Sequence, residues 1–243
     1  MRTSIYTDDF LETVERWDGS MLAPSRENRK RDGLVVFKAG WFERYFATAH
    51  PIFPGAFWGP VIAGLWYFTA RDPRFSLLIS ASIFLGGVLL WTLIEYLLHR
   101  FAFHVQPKSE LPAKITAFVT HGYHHEFPND RLRLVAPLVL SIPIAMPVAL
   151  LCVLAAGRYH GMMLLGGILL GYIAYDWVHY YTHHFRPTTR LGKYLRRYHM
   201  EHHYKDSGAH FGISSPLWDF VFGTARSRGA GASPPPRAAV DPS

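Results

Sequence analysis

The sequence predicts an all-α, multi-pass membrane protein with four transmembrane helices. Three observations carry that prediction: a composition rich in apolar residues, four long apolar stretches, and an excess of histidine gathered at the ends of those stretches. Of 243 residues, 49% are hydrophobic and 18% charged, where a soluble domain averages roughly 25% charged. That balance excludes a disordered chain, a collagen-like chain and a coiled coil. The single cysteine, Cys152, excludes an intramolecular disulfide framework and any multi-cysteine zinc or iron–sulfur site. The net charge is +7, yet no basic run sits on a nucleic-acid-binding module, so no nucleic-acid partner is expected.

The first 50 residues are polar, with eight Lys/Arg and eight Asp/Glu, and show no signal-peptide pattern. The expected spans follow at about 53–70, 75–98, 134–156 and 162–181. An apolar run of about 18 or more residues is long enough to cross a bilayer. The second and third runs meet that test best. The first contains Gly and Pro and the fourth contains Asp176, but Gly and Pro are common in membrane helices. As core helices of a soluble protein, four such runs would leave too little polar sequence to cover them. Residues 51–224 are therefore expected to form one domain after an N-terminal segment of 1–50, and 225–243, rich in Ala, Gly, Ser and Pro, reads as a disordered tail.

Charge sets the expected topology. Two short turns, 71–74 and 157–161, join the spans in pairs and hold three Lys/Arg; the other 22 of 25 lie in the N-terminal segment, the 99–133 loop and the C-terminal part. The positive-inside rule places those three segments, and both termini, in the cytosol. The membrane would be a bacterial inner membrane or, in a eukaryote, the endoplasmic reticulum.

Ten of the 14 histidines form four clusters, all on that same face: His99 with His104, His121 with His124 and His125, His179 with His183, and His199 with His202 and His203. A single H-x-x-x-H is weak evidence. Two H-x-x-H-H motifs flanked by two further pairs are strong evidence of metal binding. An α-helix turns about 100° per residue, so histidines three or four apart share a face and adjacent ones diverge. His124 and His125 should therefore serve different ions, as should His202 and His203. His99 and His104, five apart, would point about 140° apart on an α-helix and should also be split. Two ions with five imidazoles each and an open position suit catalysis better than structure. His50, His160, His184 and His210 repeat no ligand spacing and read as ordinary histidines.

Two carboxylates accompany the ligands. Glu95 precedes His99 by four residues, and Asp176 precedes His179 by three and His183 by seven. Both are read as candidate catalytic-site groups that accept the second N–H of a ligating histidine.

The runs E-Y-L-L-H-R-F-A-F-H (95–104), H-G-Y-H-H-E-F-P-N-D-R-L-R-L-V (121–135), Y-D-W-V-H-Y-Y-T-H-H (175–184), K-Y-L-R-R-Y-H-M-E-H-H-Y-K (193–205) and G-I-S-S-P-L-W-D-F-V-F-G-T (212–224) resemble the fatty acid hydroxylase superfamily, most of all its fatty acid 2-hydroxylases. The resemblance spans roughly 50–225. It implies four spans under a cytosolic helical cap that holds a dimetal site. It also implies two iron ions (with zinc a possible replacement in isolated protein), dioxygen as co-substrate, and hydroxylation of carbon 2 of a fatty acid or of the acyl chain of a sphingolipid. By motif, one ion would take His99, His121, His124, His199 and His202, and the other His104, His125, His179, His183 and His203. Many animal and fungal members carry a fused cytochrome b5 domain. The first 50 residues here hold no haem-ligating histidine pair, so electrons are expected from a separate cytochrome b5-like or ferredoxin-like donor. Alternatives within the superfamily are a sterol or carotenoid hydroxylase or desaturase. From another class, a metal transporter or sensor would need ligands near the bilayer midplane, and these cluster at one face. Trp91, Tyr96, Phe101, Phe103, Tyr175, Trp177 and Tyr180 are candidates to line an acyl path or to form an interfacial belt.

Overall fold

A computed structural model describes residues 4–22 and 33–226. The described residues are helical, with one isolated β-bridge between Tyr6 and Phe37 and no strand. The expected tail at 225–243 lies almost wholly outside them.

The helices are α1 (Asp8–Arg16), α2 (Gly40–Phe42), α3 (Phe53–Ala70), α4 (Leu77–Leu97), α5 (Leu111–Ala117), α6 (Tyr123–Glu126), α7 (Leu138–His184), α8 (Arg190–Tyr204) and α9 (Leu217–Val221). Three π-helical turns interrupt the series: π1 (Glu43–Ala47), π2 (Leu98–Phe103) and π3 (Phe118–Gly122). The starts follow local chemistry. Pro54 opens α3 within its first turn, where a missing N–H costs nothing. Thr7 caps α1 through Oγ1, which accepts from the Phe10 N–H at 3.3 Å. The third apolar stretch was expected from 134 but becomes helical only after Pro137, because proline drives the residue before it away from helical angles.

Straight, the 47 residues of α7 would run about 70 Å. Gly157 instead takes φ 72°, ψ 168°, a backbone region open essentially to glycine alone. Beyond it the chain doubles back. A Cβ at Gly161 would sit 2.6 Å from the Cys152 carbonyl oxygen, and Tyr172 faces Ser141. These two pairs are centred on the same point of the chain, which is the signature of an antiparallel hairpin. The turn expected over 157–161 is thus one residue, with 158–161 already helical.

The second limb of α7 packs on α4 at a crossing of glycines. A Cβ on Gly167 would overlap the Phe84 carbonyl oxygen, and one on Gly87 the Leu164 carbonyl oxygen. Such backbone approach is how helices associate where no hydrophobic effect drives them together. The helix following Ser76 through π2, and α7, are long and apolar enough to cross a membrane, yet only 11% of their most apolar windows is buried. Leu78, Leu85, Leu89, Leu150, Leu151 and Leu154 point outward. These are not the core helices of a water-soluble protein.

The polar segments assemble at one end of the bundle, where α4 and α7 finish. There α1 and residues 33–36 cover α5, π3 and α6 through Phe10, Val14, Trp17, Leu34, Phe118 and Tyr123. The N-terminal segment is therefore part of the histidine-bearing end. Its anchor is a buried polar knot. Tyr123 Oη donates to Asp130 Oδ2 at 2.8 Å and accepts from the Leu34 N–H at 2.7 Å. Arg133 bridges Asp130 and Glu43, and Glu43 accepts the N–H groups of Val36 and Phe37.

The glycine crossing gives a test. Gly167→Leu should lower the apparent unfolding temperature in detergent by several degrees or abolish folding. Gly59→Ala, where a Cβ meets nothing within 4 Å, should leave it unchanged or slightly raised. Equal behaviour of the two variants would show that the close crossing is not required.

Candidate metal centre

The ten clustered histidines converge in two groups: His99, His104, His121, His125 and His202 in one, His124, His179, His183, His199 and His203 in the other. Within each group the ligand atoms all lie within 4.8 Å of one another. Neighbouring Nε2 atoms are 2.8–3.1 Å apart. The groups adjoin, with the His125 and His203 rings stacked at 4.1 Å between centroids.

The adjacent pairs are split, one histidine to each group, as a 100° step requires. The remaining assignments differ from those the motif resemblance implies. His99 and His104 share a group because π2 lies between them: i→i+5 hydrogen bonding widens the turn and brings residues five apart round to one face. His121 pairs with His125 and His199 with His203, so the four-residue spacing is used, while His124 and His202, at the three-residue spacing, go to the other group.

The donor set fits a metal. Two nitrogens held 2.0–2.1 Å from one ion at right angles lie about 2.9 Å apart, which matches the Nε2 spacing. Imidazoles cannot supply that arrangement among themselves, since each neutral ring donates through one nitrogen only. Burial, reinforced by the neighbouring imidazoles, holds His121, His124, His125, His199, His202 and His203 well below the usual histidine range. They are neutral, the state a ligand needs.

Two of the far ring nitrogens are oriented by backbone. His99 Nδ1 lies 2.5 Å from the Phe211 carbonyl oxygen and His202 Nδ1 2.7 Å from that of Ala209. Two buried carboxylates hold this 209–214 loop. Glu95 accepts the N–H groups of Ile213 (2.6 Å) and Ser214 (2.8 Å), along with the Ser214 hydroxyl. Asp219 accepts those of Phe211 (2.9 Å) and Gly212 (2.7 Å). Glu95 thus acts on the loop that orients His99 and accepts no proton from a histidine, contrary to expectation. No hydrogen bond joins Asp176 to His179 or His183 either; the group beside its carboxylate is the Tyr172 hydroxyl. Asp219 was missed. It sits in the Leu-Trp-Asp-Phe run with no histidine at helical spacing, so only the fold reveals it.

Residues 84–224 match the fatty acid hydroxylase family. The chain belongs to that family. The Arabidopsis thaliana dihydroceramide fatty acyl 2-hydroxylase FAH1 is 41% identical over 214 residues, covering 88% of this chain and 86% of the relative. The Rattus norvegicus fatty acid 2-hydroxylase is 42% identical over 166 residues, covering 65% of this chain and 44% of the relative. The solved structure of full-length scs7p, with only the hydroxylase domain visible, superposes with a TM-score of 0.75 at 30% identity, covering 92% of this chain and 80% of that one. The protein is accordingly a membrane oxidoreductase of the fatty acid hydroxylase kind, with a histidine metal centre.

Beneath the metal centre lies an apolar cavity of about 400 Å³. His121 of one group and His124 and His179 of the other form part of its wall, and Trp58, Ile144, Val148 and Leu165 line it among the long helices. Of the seven aromatics considered for an acyl path, Trp91, Phe103 and Tyr175 line it. Tyr96 is buried against Phe222, Phe101 and Trp177 are exposed, and Tyr180 packs on His184.

The grouping predicts metal content. Wild type should hold two equivalents per chain by elemental analysis. The double variant His99→Ala/His104→Ala should retain about one, because both residues serve one ion; loss of both equivalents would restore the split assignment. Asp219→Ala should free the 209–214 loop and lower metal affinity 10–100-fold, as removal of a ligand's supporting partner typically does. Full affinity in that variant would remove the loop from the account.

Proposed function

We propose that this protein hydroxylates carbon 2 of a fatty acyl chain, free or within a sphingolipid, at a di-iron centre held by His99, His104, His121, His125 and His202 on one side and His124, His179, His183, His199 and His203 on the other. The observation that carries the proposal is the cavity, whose wall joins apolar helix surface to histidines of both groups. The names of the relatives, 2-hydroxylases of fatty acid and dihydroceramide, favour carbon 2. Iron bound there would supply activation of dioxygen by two external electrons, and imidazole suits iron and zinc alike.

The chain's own contribution is binding, orientation and exclusion of water. The hydrocarbon tail lies between α3, α4 and the limbs of α7, and its head-proximal carbons meet the histidine end. Ser141, Tyr172 and Asp176 face one another at the cavity wall and bond to no group outside that trio among the described residues, and we assign them to the lipid's polar head. Asp176 thereby becomes a substrate-positioning residue.

The reading includes four transmembrane helices, α3, α4 and the limbs of α7, within a hydroxylase domain of 51–224. The histidine end forms a cap on the cytosolic face with both termini, as the distribution of Lys/Arg favours, and electrons arrive from a separate donor. A reporter inserted at Arg158 should behave as non-cytosolic and one after Ser243 as cytosolic; the reverse would place the metal centre away from cytosolic reductants.

The activity test is expression in a host without 2-hydroxy lipids, followed by mass spectrometry of total acyl chains. Wild type should produce 2-hydroxy acyl chains. Ala145→Phe, which fills the cavity, should cut their yield at least tenfold with two metal equivalents still bound. Hydroxylation at another carbon, or a desaturated or sterol product, would overturn the assignment.

A further inference from the structure

A second, polar cavity of about 310 Å³ opens on the other side of π2. Its wall includes Arg100, His104, Phe211 and Arg226, and no carboxylate lines it among the described residues. Behind that wall, Asp206 accepts the Gly208 N–H at 2.9 Å, and Asp219 accepts the Phe211 N–H at 2.9 Å and the Thr224 hydroxyl at 2.6 Å. Among the described residues Arg100 is fixed without a counter-ion: it donates to Tyr96 Oη at 2.6 Å and its guanidinium lies over the Phe101 ring at 4.9 Å. Eight of the ten clustered histidines are buried; His104 and His183 are only partly so. Of those two, His104 is the one that forms cavity wall. A group seated here would be one imidazole away from the ion position of the first histidine group.

We infer that this cavity is the docking site of an acidic one-electron carrier protein, held by Arg100 and Arg226, with His104 as the point of electron entry. The inference rests on the hydroxylase reading. One turnover consumes a C–H bond, one dioxygen, two electrons and two protons, and yields a C–OH group and one water. The carrier must therefore deliver two electrons in two encounters, each oxidising it by one electron, with the protons drawn from solvent. Two guanidiniums with no ion pair among the described residues suit a carrier whose active edge bears carboxylates, because charge complementarity steers the encounter and fixes its orientation. The apolar cavity lies on the opposite side of π2, so lipid and carrier can be bound together. The excess of Lys/Arg at this end of the molecule extends the same attraction to long range.

The test uses the iron-loaded full chain in lipid nanodiscs. Oxidation of two reduced acidic carriers, the soluble haem domain of cytochrome b5 and a plant-type [2Fe–2S] ferredoxin, is followed by stopped-flow absorbance. Each rate is divided by that for photoreduced 5-deazariboflavin, a small neutral reductant that needs no docking site. Arg226→Glu, Arg100→Glu and Ser207→Glu at the rim should each lower this ratio at least tenfold and flatten its dependence on salt. Arg226→Lys should stay within threefold of wild type. An unchanged ratio in the three acidic variants, or a wild type that deazariboflavin reduces and neither carrier does, would overturn the docking site. Failure of the hydroxylase reading would appear separately, as iron reduced by deazariboflavin with no hydroxylated lipid formed.

Discussion

Ten neutral imidazoles must bring their Nε2 atoms together at two points inside the protein, and the rest of the structure follows from meeting that demand. Five nitrogens within 4.8 Å of one another, with neighbours 2.8–3.1 Å apart, are not a hydrogen-bonded set, because each neutral ring has one donor to offer. Without a cation the cluster leaves buried polar atoms unpaired; with one, the same spacing is a coordination shell. The demand explains why four separate segments end at one place. It also explains why those segments end in irregular helix: π2 and π3 lie on or beside His99, His104 and His121, and π-turns commonly mark functional positions within helices.

The supporting layer is backbone held by carboxylates. Phe211 and Ala209 present carbonyl oxygens to His99 and His202, and Glu95 and Asp219 fix the loop that carries them. A loop between α8 and α9 thereby controls ligands that belong to π2 and α8. The N-terminal segment plays a comparable part for the 121–125 motif. Trp17, Leu34 and Phe118 pack around it, and the Tyr123–Asp130–Arg133–Glu43 knot ties it to residues 33–37.

Much of this was legible in the sequence, and the parts that were not share a cause. Apolar run lengths and the clustering of His99 to His203 are local signals, and they led to the helical fold, the metal centre and the family. The split of His124 from His125 needed only the α-helical step. His99 and His104 were assigned to different ions because that argument assumed α-helix throughout, and no residue in Leu-His-Arg-Phe-Ala-Phe announces a π-turn. Glu95 and Asp176 were matched to histidines by spacing along their own helices. Their actual surroundings, the 213–214 backbone and the apolar cavity, come from elements far away in sequence. Asp219 carried no local signal at all. The hairpin at Gly157 was half legible: a turn was expected there, but its compression into one residue depends on a φ of 72°.

The account stands on the pairing of His99 with His104 across π2. The most direct measurement is diffraction from crystals of the metal-loaded protein at the iron absorption edge, where anomalous differences locate each ion independently of the protein model. Two peaks are predicted, one within bonding distance of His99, His104, His121, His125 and His202, the other of His124, His179, His183, His199 and His203. A single peak, or His99 and His104 on different ions, would contradict it.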